Sequence, residues 1–189
     1  MKTTLLTAAA ALLLAAGAQA AEYTVDATHT DVGFKIRHMM VTNVRGSFSD
    51  VDGTFVFEPG KPETWKVEAT IQTASVDTRD EKRDEHLRSA DFFDVENHPT
   101  MTFRSTKIVP AGDDGYELHG DLTLLETTRP VVLDLEFLGQ VTDPWGNTRV
   151  GFTAEGKIDR KDFGMTWSKS LDSGGLVVGD DVEIELQIE

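Results

Sequence analysis

A two-residue hydrophobic period, repeated along most of the chain, governs what this sequence can fold into. Val32, Phe34, Ile36 and His38 fall on one face of an extended segment, while Lys35 and Arg37 fall on the other. The same alternation runs through Val44, Gly46 and Phe48, through Val51 to Phe57, and through Trp65 to Ile71. It returns at Met101 and Phe103, from Tyr116 to Leu124, and from Val131 to Phe137. The last runs are Val150 to Ile158 and Val182 to Ile188. Alternation of this kind gives each strand one apolar and one wet face, and about eight strands are predicted. Turn signals separate them, at Glu58-Pro59-Gly60, Ala111 to Gly115, Asp143 to Asn147 and Val178-Gly179-Asp180. The sheet is expected to be antiparallel, because parallel strands buried on both faces read as continuous apolar runs.

Such strands can pack as two sheets or close into a barrel, and closure removes the unpaired edges. An eight-stranded barrel is near the size that either fills with side chains or holds one small ligand. Small residues occupy several inward positions, namely Gly46, Gly53, Ala69, Gly120, Ala154 and Gly156. They leave interior room or mark bends where the sheet curls, and both can hold. One segment, Thr78 to Ser89, breaks the rhythm. Thr78 and Glu81 fit a capping box, which predicts a short exposed helix over roughly 79 to 89. With little apolar surface, it suits a lid resting on Leu87, Phe92 and Phe93. No linker or repeat divides residues 21–189, which read as one domain.

The first twenty residues differ from the rest. Lys2 precedes an Ala/Leu run from Leu5 to Ala16, followed by Ala18-Gln19-Ala20. This pattern predicts a secretory signal peptide cleaved after Ala20. The apolar run is about 12 residues, against the ~20 that cross a bilayer. The mature chain would have 189 − 20 = 169 residues and a formal charge of −16 rather than −15. A bacterial periplasm or a fully secreted location fits. The chain is not expected to span a membrane. Its acidity argues against nucleic acid, whose binding rests on basic side chains, and against an acidic membrane surface. The absence of cysteine excludes disulfides, thiolate metal sites and a cysteine nucleophile.

Little in the sequence resembles catalytic chemistry. Asp172-Ser173-Gly174-Gly175 is similar to the nucleophile loop of trypsin-like serine proteases, and His29 lies upstream. Only 14 residues follow Gly175, too few for the pocket wall that such enzymes place there. A glycine-rich loop is the plainer reading. His29, His38, His86, His98 and His119 form no HxH, HxxxH or HExxH pair, so no cofactor and no metal site is written locally. Asp50 to Asp52, Asp113-Asp114 and Asp180-Asp181 could offer carboxylates to Ca²⁺ but read better as solvated turns.

Taken in order, several motifs resemble the YceI-like family. These are Tyr23 to His38, Val44 to Phe48, His86 to Asp94, His98 to Ser105, Gly120 to Leu124, Asp162 to Gly164 and Val178 to Val182. The resemblance implies an eight-stranded antiparallel lipocalin-like barrel in the periplasm, with one short helix between strands. It also implies a non-enzymatic protein that binds a long apolar molecule, such as a polyisoprenoid, an isoprenoid quinone or a fatty amide, in a tunnel. Thr30 stands where the family usually has Ser, and Leu125-Glu126 where a His-Gly pair is common. On this reading the lining residues are Phe34, Ile36, Phe48, Phe55, Phe92, Phe93, Met101, Phe103, Leu122, Phe137, Phe152, Phe163, Met165 and Trp167. His38 and Arg45 are candidates for a polar contact near the mouth. The partner would be a long-chain isoprenoid or another lipid-like ligand, and a homodimer is compatible with the chain. The alternatives are a filled barrel that recognises protein through loops such as 140–148, and a hydrolase using Ser173.

Overall fold

The computed structural model describes residues 20–112, 115–170 and 174–189. The expected signal peptide up to residue 19, the Asp113-Asp114 turn and the Asp172-Ser173 pair lie outside the described residues. The strands are β1 (Ala21–Thr24), β2 (Asp31–His38), β3 (Thr42–Phe48), β4 (Val51–Phe57), β5 (Lys66–Gln72), β6 (Val76–Asp77), β7 (Thr100–Ala111), β8 (Gly115–Leu124), β9 (Thr127–Thr142), β10 (Thr148–Asp159) and β11 (Val178–Ile188). All pairs are antiparallel in one sheet of order β1-β4-β5-β7-β8-β9-β10-β11-β2-β3-β6.

Among the described residues the strands number eleven, not eight, because three ribbons bend. β1 and β2 are halves of one ribbon, pairing with β4 and β3, which are halves of the next. β5 and β6 are halves of the third, pairing with β4 and β3 in turn. Bonds at the bends keep these ribbons together: Val25 N–H to Gly53 O at 3.0 Å and Gln72 N–H to Asp50 O at 2.9 Å. The sheet order therefore begins and ends on the same three ribbons. The sheet is curled, so its apolar faces turn onto one another.

Two clusters fill parts of the interior. One holds Phe57, Trp65, Ile108, Leu118, Leu133, Leu135, Val150 and Phe152, with Phe55 and Phe137 against it. The other holds Phe48, Val51, Ile71, Phe92, Phe93, Met101, Phe163 and Met165. The segments read as short in the sequence are longer here: β9 runs to Thr142, so the expected 140–148 loop is a tight Asp143–Asn147 turn.

The helix α1 (Glu81–Arg88) forms where expected, but with a different cap. Asp80, not Thr78, accepts the Arg83 N–H, at 3.0 Å. Arg79 takes a positive φ of 64° just before it. Thr78 instead turns inward and donates to the buried Asp84 carboxylate. Asp outranks a distant Thr here because its short carboxylate reaches the third helical amide without crossing that turn. Arg88 then ties the helix end to the sheet through the carbonyls of Ala74 and Val76, at 2.8 Å each.

Candidate ligand-binding cavity

Phe103 packs against both clusters, but elsewhere the inward side chains leave space. They enclose a cavity of about 970 Å³, at the upper end of the ~300–1,000 Å³ typical of ligand sites. Its lining on β11 runs from Val178 to Ile188, about 30 Å of strand at the usual rise per residue. The lining is mostly aliphatic and aromatic.

Thirteen of the expected residues border it: Phe34, Ile36, His38, Phe48, Phe55, Phe92, Phe93, Met101, Phe103, Leu122, Phe152, Met165 and Trp167. Three do not. Arg45 points outward from β3 and pairs with Glu185 across the outer wall. Phe137 packs its ring 5.2 Å from that of Phe57, and neither borders the cavity. Phe163 sits on a 310 turn (Arg160–Phe163), 2% exposed in the core. Aliphatic residues that the sequence reading passed over also line the space, among them Val67, Leu133, Leu135, Ile184 and Leu186. Their signal was the same alternation that marked the aromatics.

The small residues act differently from one another. Ala69 and Ala154 border the cavity. Gly46 and Gly120 instead let rings lie flat on the sheet: a Cβ at Gly120 would stand 2.2 Å from Phe103 Cζ, and one at Gly46 2.5 Å from Phe34 Cζ.

At one end, α1 contributes Arg83, His86 and Leu87 to the lining. His86 stands edge-on to Phe92 and Trp167, with centroids 5.0 Å from each, and its Nε2 lies 2.8 Å from the Asp91 carboxylate. Arg83 is held by Thr78 through the hydroxyl and the carbonyl, at 2.7 and 2.8 Å. Arg160, 2% exposed, is satisfied by the carbonyls of Gly179 and Met165 and by Asp180. Desolvation pulls its pKa down, against the attraction of Asp180 and Asp159.

At the other end, Arg149 reaches Asp26 at 2.8 Å, Asp143 at 3.2 Å and Glu189 at 3.2 Å. The Thr28 hydroxyl, His29, the Thr28 N–H and Arg149 all donate to Asp26 and hold it far below the usual carboxylate range. Asp26, His29 and Glu189 offer ligand atoms within 4.8 Å of one another. The Arg149 guanidinium already supplies a cation to two of them, so the group needs no metal to balance its charge. Thr30 accepts the Glu189 N–H at 3.2 Å, a bond that Ser would also make. Leu125 is the first residue of the tight β8–β9 turn, at a φ of 54°, and packs near Gly164 rather than into the cavity. Among the described residues no helix is long and apolar enough to cross a membrane.

Comparison with known proteins places this architecture. The model of the YceI-like domain matches residues 23–189. A UPF0312 protein of Pectobacterium atrosepticum is 49% identical over 170 residues, covering 88% of each chain. Among solved structures, BcnA of Burkholderia cenocepacia superposes with a TM-score of 0.76 at 24% identity, over 87% of this chain and 98% of that one. A polyisoprenoid binding domain from Saccharophagus degradans superposes with a TM-score of 0.61 at 14% identity, over 90% and 97%.

Proposed function

The chain belongs to the YceI-like family, and from that membership and its cavity we propose that it is an exported binding or carrier protein for one long apolar ligand. The ligand class is a polyisoprenoid, an isoprenoid quinone or a fatty amide, and the compartment is the periplasm. The observation that carries this reading is the cavity of about 970 Å³, lined along β11 from Val178 to Ile188 and walled mostly by hydrocarbon. A volume of that size weighs against a barrel filled by its own side chains. The fold shared with a structure described as a polyisoprenoid binding domain supports the ligand class.

The energetics select for length. Each buried methylene contributes about 0.8 kcal/mol. Association costs about 4–15 kcal/mol in lost freedom. A short chain of five methylenes therefore gains too little to hold, whereas about twenty offset the cost with a margin. The chain's own residues do three things. They exclude water, confine the ligand to an extended form, and leave few polar groups, such as His38, to meet a head group. Catalysis has no assigned role here.

The direct test is organic extraction of protein purified without refolding, read by mass spectrometry. One lipid per chain is expected. Absence of lipid, together with failure to take up added quinone or polyprenol, would overturn the proposal. Phe103→Asp should abolish uptake while circular dichroism stays that of the folded sheet. A serine-reactive fluorophosphonate should leave Ser173 unlabelled.

A further inference from the structure

The sharpest misfit between local chemistry and local backbone lies at the β2–β3 connection. Met39 and Met40 both have positive φ, 49° and 64°. The turn is closed by the Val41 N–H donating to the His38 carbonyl at 3.2 Å. Turns with two left-handed residues favour Asn, Asp and Gly, which take that conformation at little cost. This chain places two long apolar side chains there, followed by Val41. All three are exposed, at 44%, 60% and 81%, with Met40 resting beside Gly175. The residues are wrong for the turn and wrong for water, so fold stability does not explain them.

Position does. His38, immediately before the turn, lines the cavity, and Met39 donates its N–H at 2.8 Å to the carbonyl of Val177, also in the lining. The tip thus stands on the rim of the tunnel. The charge pattern agrees. The chain has 33 acidic residues, yet residues 37–48 contain none and include Arg37 beside the turn, while Arg45, farther along β3, is already paired with Glu185. The adjoining helical stretch 79–88 has four acids and four bases, and so is neutral apart from His86. The far end of the barrel carries its own exposed apolar tip residue, Trp145 at 82%. That tip follows Asp143 and adjoins the Asp26 and Glu189 carboxylates, which a phosphate surface would repel.

We propose that the Met39–Val41 turn is a membrane-contact tip that enters the interfacial layer of a lipid bilayer and sets the tunnel mouth on it. The inference rests on the carrier reading, since a long apolar ligand resides in a bilayer before it is bound. Two flexible thioethers and a valine are suited to the headgroup–acyl boundary, where apolar burial supplies binding and a flanking arginine can meet phosphates. The contact would be shallow and reversible, because three side chains bury too little area for permanent anchoring.

The test uses the mature protein with phosphatidylcholine vesicles in flotation, beside the triple variant Met39→Asn, Met40→Gly, Val41→Thr. This variant suits the turn better than the natural residues do, so loss of folding does not confuse the result. Wild-type protein should float with vesicles and the variant about tenfold less, while both take up farnesol dispersed in water equally. Equal flotation of the two, or no flotation of the wild type, would overturn the proposal. A change in self-association by sedimentation, with vesicle binding absent, would also overturn it and assign the tip to a second copy. Vesicle binding that persists while neither form takes up any apolar ligand would defeat the carrier reading and leave the tip standing.

Discussion

Gly120 has a backbone that any residue could adopt, yet it has no room for a side chain. A Cβ there would lie 2.2 Å from Phe103 Cζ and 2.7 Å from the carbonyl oxygen of Arg104. The ring could swing away, but the carbonyl belongs to the neighbouring strand and cannot. Gly120→Ala should therefore cost about 1–3 kcal/mol by overpacking, read as a lower urea midpoint. It should also slow ligand uptake, because the displaced ring moves into the tunnel. Gly151→Ala is the control, since its Cβ would meet only Leu138, at an ordinary 3.6 Å. Equal loss at both sites would show that strand glycines matter here only through conformational entropy. At this scale the sequence was half legible. Alternation correctly gave the face on which Phe34, Phe103 and Phe152 lie, because the pleat fixes it. It could not give position along the interior: Phe137 packs with Phe57 and Trp65 in a cluster outside the lining, although its face was right. Alternation also put Arg45 on the outer wall, where it pairs with Glu185, so a mouth contact for it contradicts its own strand.

Among elements, the β9–β10 turn shows how a loop is made rigid by one carboxylate. Asp143 accepts from the N–H groups of Trp145 and Asn147 at 2.9 and 2.8 Å, from the Asn147 amide at 3.0 Å, and from Arg149 at 3.2 Å. Desolvation alone would raise its pKa, but the donors outweigh it and hold the carboxyl at about 2, against an ordinary 3.8. A carboxyl with a depressed folded-state value stabilises the fold above its unfolded pKa and loses that contribution as pH falls through the folded one. The turn's contribution should thus be complete above about pH 4 and fade toward about pH 2. Melting temperatures across that range should show wild type above Asp143→Asn at neutral pH, with the two curves converging in acid. A constant gap at every pH would mean that the carboxylate's charge contributes nothing. The turn itself was legible, because Asp, Pro, Gly and Asn cluster there. The helix was legible in extent but not in its cap. The capping box read at Thr78 missed Asp80, because the outcome depended on the buried Asp84, which captures Thr78 from six residues away. A partner at that separation leaves no mark on a capping pattern.

For the whole molecule, the pairing that curls the sheet joins residues far apart in the chain. β11 meets β2 with Gln187 opposite Asp31, and β7 meets β5 with Met101 opposite Ile71. No local pattern encodes such partners; only the need of each apolar face to be covered does, and that need is met equally by a barrel and by a two-layer sandwich. The resemblance to a known family carried the choice. The curled sheet also leaves much apolar surface facing a void, so the empty form forgoes contacts that a filled core would have. A ligand that binds only the folded state should restore them. At a free concentration one hundred times the dissociation constant, the gain is about 2.7 kcal/mol. For a chain of this length, each kcal/mol raises the melting temperature by about 2–4 °C, so saturation should raise it by about 5–11 °C. At one fixed free concentration the rise should grow with chain length along a series of polyprenols, because each added unit buries more hydrocarbon and lowers the dissociation constant. Differential scanning calorimetry of delipidated protein against that series measures it. A shift independent of length would place the ligand on the surface, since only a tunnel running beside Val178 to Ile188 counts the units it encloses.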